Sequence, residues 1–461
     1  MSVNLLLLPE LLEMIDSNDR QAMRTFCTAL HPASIAEYLE ELPPEKIWII
    51  LKANTLDIRA ALFSYFHRDL QIQMIEGCPR HEIARLLEET PSDDRVDLLD
   101  QIDPEIAEEL KQLLSKEDQR DVELLSRYPD DTCGAEMSSD FVRLQETMTV
   151  EQALAEIGAQ THLMETVYYL YALDKDGRLA GVVSARELLR RMNQPNEPIS
   201  SFMRKADTLV TVDANMKRSE AVKLVEKYDF IAIPVISELT RKMLGVITHD
   251  DVLDMAVEEL VENAHLSAGV GPLEHETYLG ANVFTLAKKR FTWLAILLFS
   301  AITTALTLKL FSSTSAQIAW LVAFLPMIVS TGGNSGGQSA TLVITALATG
   351  EVTLADWRRI FLRETHMGLI LGVAMGGCGL LNALFLYGWS VPFLHLLLVP
   401  LAVFFVVFSS NMTGALLPLL FQKLNLDPAL MSNPFVAGIS DTVGTFIYML
   451  LAQVLLIPFY S

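Results

Sequence analysis

The stretch Asn433-Pro434-Phe435-Val436-Ala437-Gly438-Ile439-Ser440-Asp441 decides how this chain is read, because it sets a carboxylate inside an apolar segment. From Pro428 to Tyr460 the chain is long enough to cross a bilayer, and Asp441 is the sole charge in that interval. Such a charge costs about 2.5 to 3.5 kcal/mol at mid-membrane on insertion scales, so it faces a water-filled path, a cation or a buried partner. Pro434 and Gly438 are expected to loosen the helix and bare backbone carbonyls beside the acid. An intramembrane acid next to free carbonyl oxygens suits a cation.

Working outward, the composition separates two halves. Residues 291–461 hold five basic and five acidic side chains, whereas residues 1–290 hold 52 acids against 30 bases and so carry the whole net charge of -22. The front half reads as soluble and acidic, which excludes nucleic acid and anionic lipid as its partners and is compatible with dissolved cations. The back half is hydrophobic enough to lie in membrane lipid. Hydropathy predicts five spans there: Phe291 to Phe311, Gln317 to about Thr349, Thr365 to Tyr387, Val391 to Phe421 and Asn433 to Phe459.

Charge between the spans alternates. Lys288, Lys289 and Arg290 precede the first, Arg358, Arg359 and Arg363 follow the second, and Lys423 follows the fourth, while Ser312 to Ala316 and Gly388 to Ser390 are uncharged. Lys309 is the exception, placed where it can snorkel to an outer surface. The positive-inside rule then sets a multi-pass protein in the cell membrane with its N-terminus cytoplasmic and its C-terminus extracytoplasmic. The first residues carry no basic n-region, consistent with a front half that stays in the cytoplasm. Cys27, Cys78, Cys133 and Cys378 show no Cys-x-x-Cys spacing and read as reduced packing residues.

Two segments of the front half echo each other: Leu179-Ala180-Gly181-Val182-Val183-Ser184-Ala185-Arg186-Glu187-Leu188-Leu189 and Met243-Leu244-Gly245-Val246-Ile247-Thr248-His249-Asp250-Asp251-Val252-Leu253. Each follows an apolar strand (Val167 to Leu173; Ile231 to Ile236) and reads as strand into capped helix. An extended piece and a helix stand upstream of each strand. This order, over 137–256, resembles a tandem pair of CBS modules, an α/β regulatory unit. Residues 1–130 look all-helical, their units opened by Leu42-Pro43-Pro44, Thr90-Pro91-Ser92-Asp93-Asp94 and Ile102-Asp103-Pro104, and are expected to stack as a superhelical array.

Between the repeat and the membrane, 250–290 reads as an acidic linker helix. Asp250, Asp254, Glu258 and Glu262 recur every four residues along one face, with Asp251 and Glu259 beside them. Like charges at that spacing destabilise an isolated helix, so a counter-cation, a basic neighbour or a fully solvated face is needed. In the second span, Thr331-Gly332-Gly333-Asn334-Ser335-Gly336-Gly337-Gln338-Ser339-Ala340-Thr341 is polar and glycine-rich where a lipid-facing helix would be rich in leucine. Gly333, Gly337 and Thr341 share a face with Asn334 and Gln338 beside it. That face serves either as a close helix-packing surface or as a pore lining of carbonyl, amide and hydroxyl oxygens.

The chain resembles the MgtE family of magnesium channels and transporters over nearly its full length. The resemblance rests on the Thr331 to Leu342 motif, on Asp356-Trp357-Arg358-Arg359, and on Leu417-Pro418 through Leu426-Asp427-Pro428-Ala429 to Asn433-Pro434-Phe435-Val436-Ala437-Gly438-Ile439-Ser440-Asp441. It implies a homodimer with a five-helix transmembrane domain over 291–461, whose pore lies between the second and fifth spans of both subunits. It also implies gating by magnesium bound to the cytosolic domains.

By the same resemblance the pore carboxylate falls on Asp441, the backbone oxygen contributor on Ala437, and the second-span lining on Gly333, Gly337 and Thr341. Gly337 stands where family members often carry a polar residue. The gating acids map onto Asp251, Asp254, Glu259 and Glu262, with Asp93 or Asp94 and Asp229 as further candidates. Lys217 and Ser219 stand where relatives carry acids, which implies a weaker cytosolic site. ATP is a candidate ligand of the CBS pair.

Magnesium fits this pattern chemically. It holds oxygen at about 2.0 to 2.1 Å and keeps several waters, so a few carboxylates suffice. A two-fold axis would duplicate Asp441 around a largely hydrated ion. No Cys or His cluster favours zinc or copper, and His366 and His395 read as packing or interfacial residues. Transport of cobalt or manganese and a membrane-anchored nucleotide sensor are the competing readings. An enzyme is not expected: a lone intramembrane acid lacks the second carboxylate of an aspartyl dyad.

Overall fold

A computed structural model describes residues 8–160, 166–271, 282–388, 390–424, 426, 433–456 and 458. Contacts divide the chain into two units, Met1–Val257 and Glu258–Ser461.

The first unit opens with the helices α1 (Leu8–Asp16), α2 (Arg20–Cys27), α3 (Pro32–Leu39), α4 (Pro44–Lys52), α5 (Leu56–Phe63), α6 (Arg68–Gly77), α7 (Arg80–Glu88), α8 (Ser92–Gln101), α9 (Pro104–Leu113) and α10 (Lys116–Leu125). The expected openers are where they were placed. Pro44 and Pro104 occupy the first turns of α4 and α9, where a missing N–H costs nothing, and Asp103 caps α9 by accepting from the Glu105 N–H at 2.8 Å. Each helix packs on the next but one, α3 on α5, α5 on α7 and α7 on α9 along one row, and α2 on α4, α4 on α6 and α6 on α8 along the other. That alternation is the superhelical array, and Ile35, Leu51, Phe63, Ile75, Leu87 and Leu110 are fully buried within it.

The repeat folds as two small sheets. In the first, β1 (Phe141–Gln145) runs parallel to β2 (Thr166–Leu173), which pairs antiparallel with β3 (Leu179–Ser184), and β4 (Arg204–Lys205) adds an edge. In the second, β5 (Val212–Asp213) is parallel to β6 (Ala232–Ile236) and β7 (Met243–Thr248) antiparallel to it. The helices α11 (Val150–Gln160), α12 (Ala185–Arg190), α13 (Arg218–Tyr228) and α14 (His249–Ser267) complete the modules. Gly181 and Gly245 stand at matching places in β3 and β7. At each, a Cβ would come within 2.6 Å of a crossing backbone carbonyl, that of Arg204 or of Ser138. The two apolar strands and the two capped helices are therefore as the repeat predicts. Cys27 and Cys133 are buried packing residues, Cys78 is half-buried and Cys378 is exposed; all four are free thiols.

The second unit contains α15 (Val283–Leu310), α16 (Ser312–Gln317), α17 (Leu321–Ala348), α18 (Trp357–Tyr387), α19 (Phe393–Leu396), α20 (Leu398–Lys423) and α21 (Asn433–Leu455). Five long helices thus occupy the five predicted spans. Among the described residues, four of them are both long and apolar enough to cross a membrane. The other, α17, has the length at 28 residues but is polar at its centre, from Thr331 to Thr341. The span boundaries also differ: α18 begins at Trp357, eight positions before the predicted start, and so draws Arg363 and Glu364 into the helix.

Pro434 does not loosen α21. It falls in the first turn, where proline is accommodated, and the helix continues through Gly438 to Leu455. The expected baring of carbonyls by a broken helix is absent there. The predicted continuation to Phe459 and the Asp427-Pro428-Ala429 motif lie outside the described residues, as does the part of the linker over 272–281.

Close packing in this unit depends on small residues. Gly368, Gly372 and Gly376 form a stripe on α18 that lies flush against α20, and Gly414 of α20 meets the Gly336 carbonyl of α17 so closely that position 414 has no room for a side chain. Val399, Val406, Val407, Phe324, Ile328, Tyr448 and Met449 fill the core between α17, α20 and α21.

Candidate functional site

The α17 and α21 helices lie against each other, and their contact face carries the predicted residues. On α21, Asn433, Ala437 and Asp441 recur every four residues and therefore form one stripe. On α17, Gly333, Gly337 and Thr341 do the same. The stripes meet in antiparallel register: a Cβ on Gly333 would lie 3.2 Å from the Ala437 Cβ and 3.3 Å from Oδ1 of Asp441, and one on Gly337 would lie 3.6 Å from Oδ1 of Asn433. Thr341 completes the ladder, its hydroxyl 2.9 Å from Asn433 Oδ1 and 3.0 Å from the Gly337 carbonyl.

Glycine is what lets the acid sit there. Any side chain at 333 would occupy the space in front of the Asp441 carboxylate. The Asp441 side chain is half-buried, and among the described residues no Lys, Arg or His lies close enough to neutralise it. A half-buried carboxylate with no resident counter-charge is suited to a passing cation. Asn334 is exposed beside this face, its amide 3.4 Å from the Ser330 hydroxyl. Thr442, the residue after Asp441, shares a 2.8 Å hydrogen bond with Thr304 of α15. Asn433 belongs to the site and was not among the expected lining residues. Its spacing of four from Ala437 and eight from Asp441 was the available signal.

A second cluster lies in the first unit. The Asp251 side chain caps the start of α14, its Oδ2 accepting from the Thr248 N–H at 2.9 Å, and the Thr248 hydroxyl lies between that oxygen, at 2.6 Å, and the Asp250 carboxylate. Asp94, in the first turn of α8, faces this end of α14. Asp94 keeps an exposed edge. Even so, loss of water on its protein side raises its carboxyl above the ordinary range, with the charges of Asp254 and Asp250 adding to the effect and Arg68 opposing it. Asp251 is raised in the same way, by burial first and by Asp250 and Asp94 after it, against the two Thr248 hydrogen bonds. The structure therefore brings together Asp94, Asp250, Asp251 and Asp254 from two elements far apart in sequence.

Other predicted acids are separate. Asp229 is exposed at the C-terminus of α13 in a left-handed conformation, φ 52° and ψ 46°. Asp93 adjoins Asp94 on α8, while Glu258, Glu259 and Glu262 continue along α14 into the second unit. Among the described residues, no three His, Cys, Asp or Glu side chains converge closely enough to hold a bare metal ion. An ion that keeps its water shell asks for less convergence than that. Lys217, where an acid was expected from the resemblance, pairs with Asp131 at 3.6 Å, and the adjacent Arg218 reaches Glu136 at 3.0 Å.

An acid embedded among membrane-length helices, joined in one chain to a helical array and paired CBS modules, defines a multispan transport protein with regulatory domains. Family models agree segment by segment: an intracellular N domain of MgtE over residues 30–131, CBS domains over 133–194 and 199–258, and the MgtE divalent cation transporter model over 325–451. A magnesium transporter MgtE of Thermus thermophilus is 34% identical over 447 residues, covering 96% of this chain and 97% of that one. The Bacillus subtilis magnesium transporter MgtE is 26% identical over 425 residues and 92% of each chain. The crystal structure of the soluble part of a magnesium transporter superposes with a TM-score of 0.50 at 26% identity, covering 54% of this chain and 97% of that one. The chain belongs to the MgtE family of divalent cation transporters.

Proposed function

We propose that this protein carries magnesium across the membrane through a path lined by Gly333, Gly337 and Thr341 of α17 and by Asn433, Ala437 and Asp441 of α21, with Asn334 at its edge. The observation that carries this reading is a half-buried intramembrane acid with no neighbouring cation among the described residues, over whose carboxylate glycine at 333 places no side chain from α17. The names of the similar proteins, magnesium transporters at 34% and 26% identity, support magnesium as the ion. A homodimer would present two copies of Asp441 to one hydrated ion, enough for a cation that keeps most of its waters.

Cytosolic magnesium regulates the path in this reading. The crowded carboxylates of Asp94, Asp250, Asp251 and Asp254 repel when stripped of cation, and a divalent ion between them favours the compact arrangement. A cation that binds one arrangement better shifts the population towards it. Asp93, Asp229, Glu258, Glu259 and Glu262 are further acids for this role, and ATP is proposed as a ligand of the CBS pair. The alternation of basic and uncharged loops supports a cytoplasmic N-terminus and an extracytoplasmic C-terminus in the cell membrane.

Magnesium flux into proteoliposomes tests the proposal. Asp441→Asn is expected to reduce it at least about tenfold, the effect of losing one charge-assisted interaction of roughly 1.5 kcal/mol or more with the ion. Undiminished flux in Asp441→Asn overturns the reading. Cobalt in place of magnesium tests the alternative ion, which prevails if cobalt flux exceeds magnesium flux at equal concentration.

A further inference from the structure

The pore-facing side of α17 is half of its polar surface. A helix turns about 100° per residue, so Ser335 and Ser339 project from the side opposite Gly333, Gly337 and Thr341. Both are buried, and both are engaged: the Ser339 hydroxyl donates to Glu364 Oε2 at 2.8 Å, and the Ser335 hydroxyl donates to Asn411 Oδ1 at 2.5 Å. Glu364 comes from α18 and Asn411 from α20. Two different neighbours therefore hold the back of the same helix, one turn apart.

The position of Glu364 follows from the glycine stripe of α18. Glu364, Gly368, Gly372 and Gly376 are spaced by four and share one face. Cβ atoms at the three glycines would fall 3.1 Å from Phe408 Cδ2, 2.9 Å from Phe404 Cδ2 and 2.9 Å from the Pro400 carbonyl. This approach presses α18 onto α20 and carries Glu364, one turn earlier, into the junction with α17, where 7% of it remains exposed. Asn411 is 1% exposed, and its Nδ2 has no hydrogen-bond partner among the described residues. An apolar residue would fill either place at lower desolvation cost. Directional acceptors occupy both.

We infer that Glu364, with Asn411, is a positioning residue for the pore helix: hydrogen bonds to Ser339 and Ser335 set the rotation of α17 about its axis and so present Gly333, Gly337 and Thr341 to α21. Glu364 acts through Ser339 and does not touch the ion. This inference rests on the proposed path and is tested separately from it.

The test uses full-length protein in proteoliposomes, with magnesium flux normalised to inserted protein. A second readout is the labelling rate of Gly337→Cys by a charged methanethiosulfonate, in a background carrying Cys27→Ala, Cys78→Ala, Cys133→Ala and Cys378→Ala. Glu364→Ala is expected to lower flux about tenfold, the factor carried by one lost hydrogen bond to a charged group, and to change the labelling rate at 337. Glu364→Gln keeps an acceptor for Ser339 and is expected to stay within about threefold of wild type, since most of that bond survives. Ser339→Ala should match Glu364→Ala, and the double variant should be no worse than either, as for two ends of one bond. Wild-type flux and labelling in both Glu364→Ala and Ser339→Ala overturn the inference. So does a loss in Glu364→Gln equal to that in Glu364→Ala, which assigns the role to charge. Failure of the path reading is distinguished by Asp441→Asn, which would then transport normally while labelling at 337 still reports the rotation of α17.

Discussion

Gly333 of α17 stands directly in front of Asp441 of α21, with room for a hydrogen and little else: a Cβ there would lie 3.3 Å from the carboxylate Oδ1 and 3.2 Å from the Ala437 methyl. One turn along, Gly337 has more space, its nearest neighbour 3.6 Å away at Asn433 Oδ1. The two glycines of one motif thus differ in what they protect.

Gly333→Ala is therefore expected to reduce magnesium flux about tenfold, because crowding of this kind costs on the order of 1–3 kcal/mol and falls on the acid itself. Gly337→Ala should remain within a few-fold of wild type. Side-by-side flux measurements on the two variants decide the matter; equal losses would show that both positions need glycine only for packing.

The acids of α14 predict a loss of regulation. Uptake into magnesium-starved cells should be inhibited by high internal magnesium in the wild type and persist in the combined variant Asp251→Ala, Asp254→Ala, Glu259→Ala. Inhibition that survives all three substitutions removes α14 from the gating scheme.

Asp94 has a pH signature. Its carboxyl is raised in the folded protein, so the fold binds that proton more tightly than the unfolded chain does. The contribution is most favourable below the ordinary aspartate value of about 3.9 and is lost as pH rises through the raised folded value. In chelator, Asp94→Asn should therefore melt at a higher temperature than wild type at pH 7, with the difference shrinking towards zero as the pH approaches 4. Added magnesium at pH 7 should raise the wild-type Tm more than that of the variant. A Tm difference independent of pH would contradict this account.

Arg95 is the buried cation of the helical array. It is 2% exposed, lies 2.7 Å from Asp118 Oδ1, and donates to the Leu87 and Thr90 carbonyls at 2.8 and 2.9 Å. Arg95→Ala takes the cation from a partly exposed Asp118 and leaves the Leu87 and Thr90 carbonyls without that donor, and is expected to cost about 1 to 3 kcal/mol in denaturant unfolding. Arg95→Lys should recover only part of that, since one ammonium does not reproduce the spread of guanidinium donors.

Much of this architecture was legible in the linear chain because it is set by chemistry between near neighbours. Prolines at helix starts, serine and threonine ahead of α12 and α14, and the runs of apolar residues each act over a few positions. The glycines and polar residues of α17 also marked it as unlike a lipid-facing span. Local reading misjudged Pro434, expected to loosen the helix when its place in the first turn is one that proline suits. It also started the third span at Thr365, after Arg358, Arg359 and Arg363, and so left Glu364 outside the helix that holds it.

The residue types at each level, an intramembrane acid, a glycine-rich span, a repeated strand and helix, and an acidic helix, were thus determined by sequence. Which of them touch was decided in three dimensions. Thr341 and Asn433 are 92 residues apart, Ser339 and Glu364 are 25 apart, and Asp94 faces α14 with both sheets intervening in the sequence. The reason is physical: helical periodicity shows which side chains share a face, but which neighbour that face meets depends on how closely backbones can approach. In this protein the glycines at 333, 336, 368, 372, 376 and 414 set that approach only once their partner helices are in place.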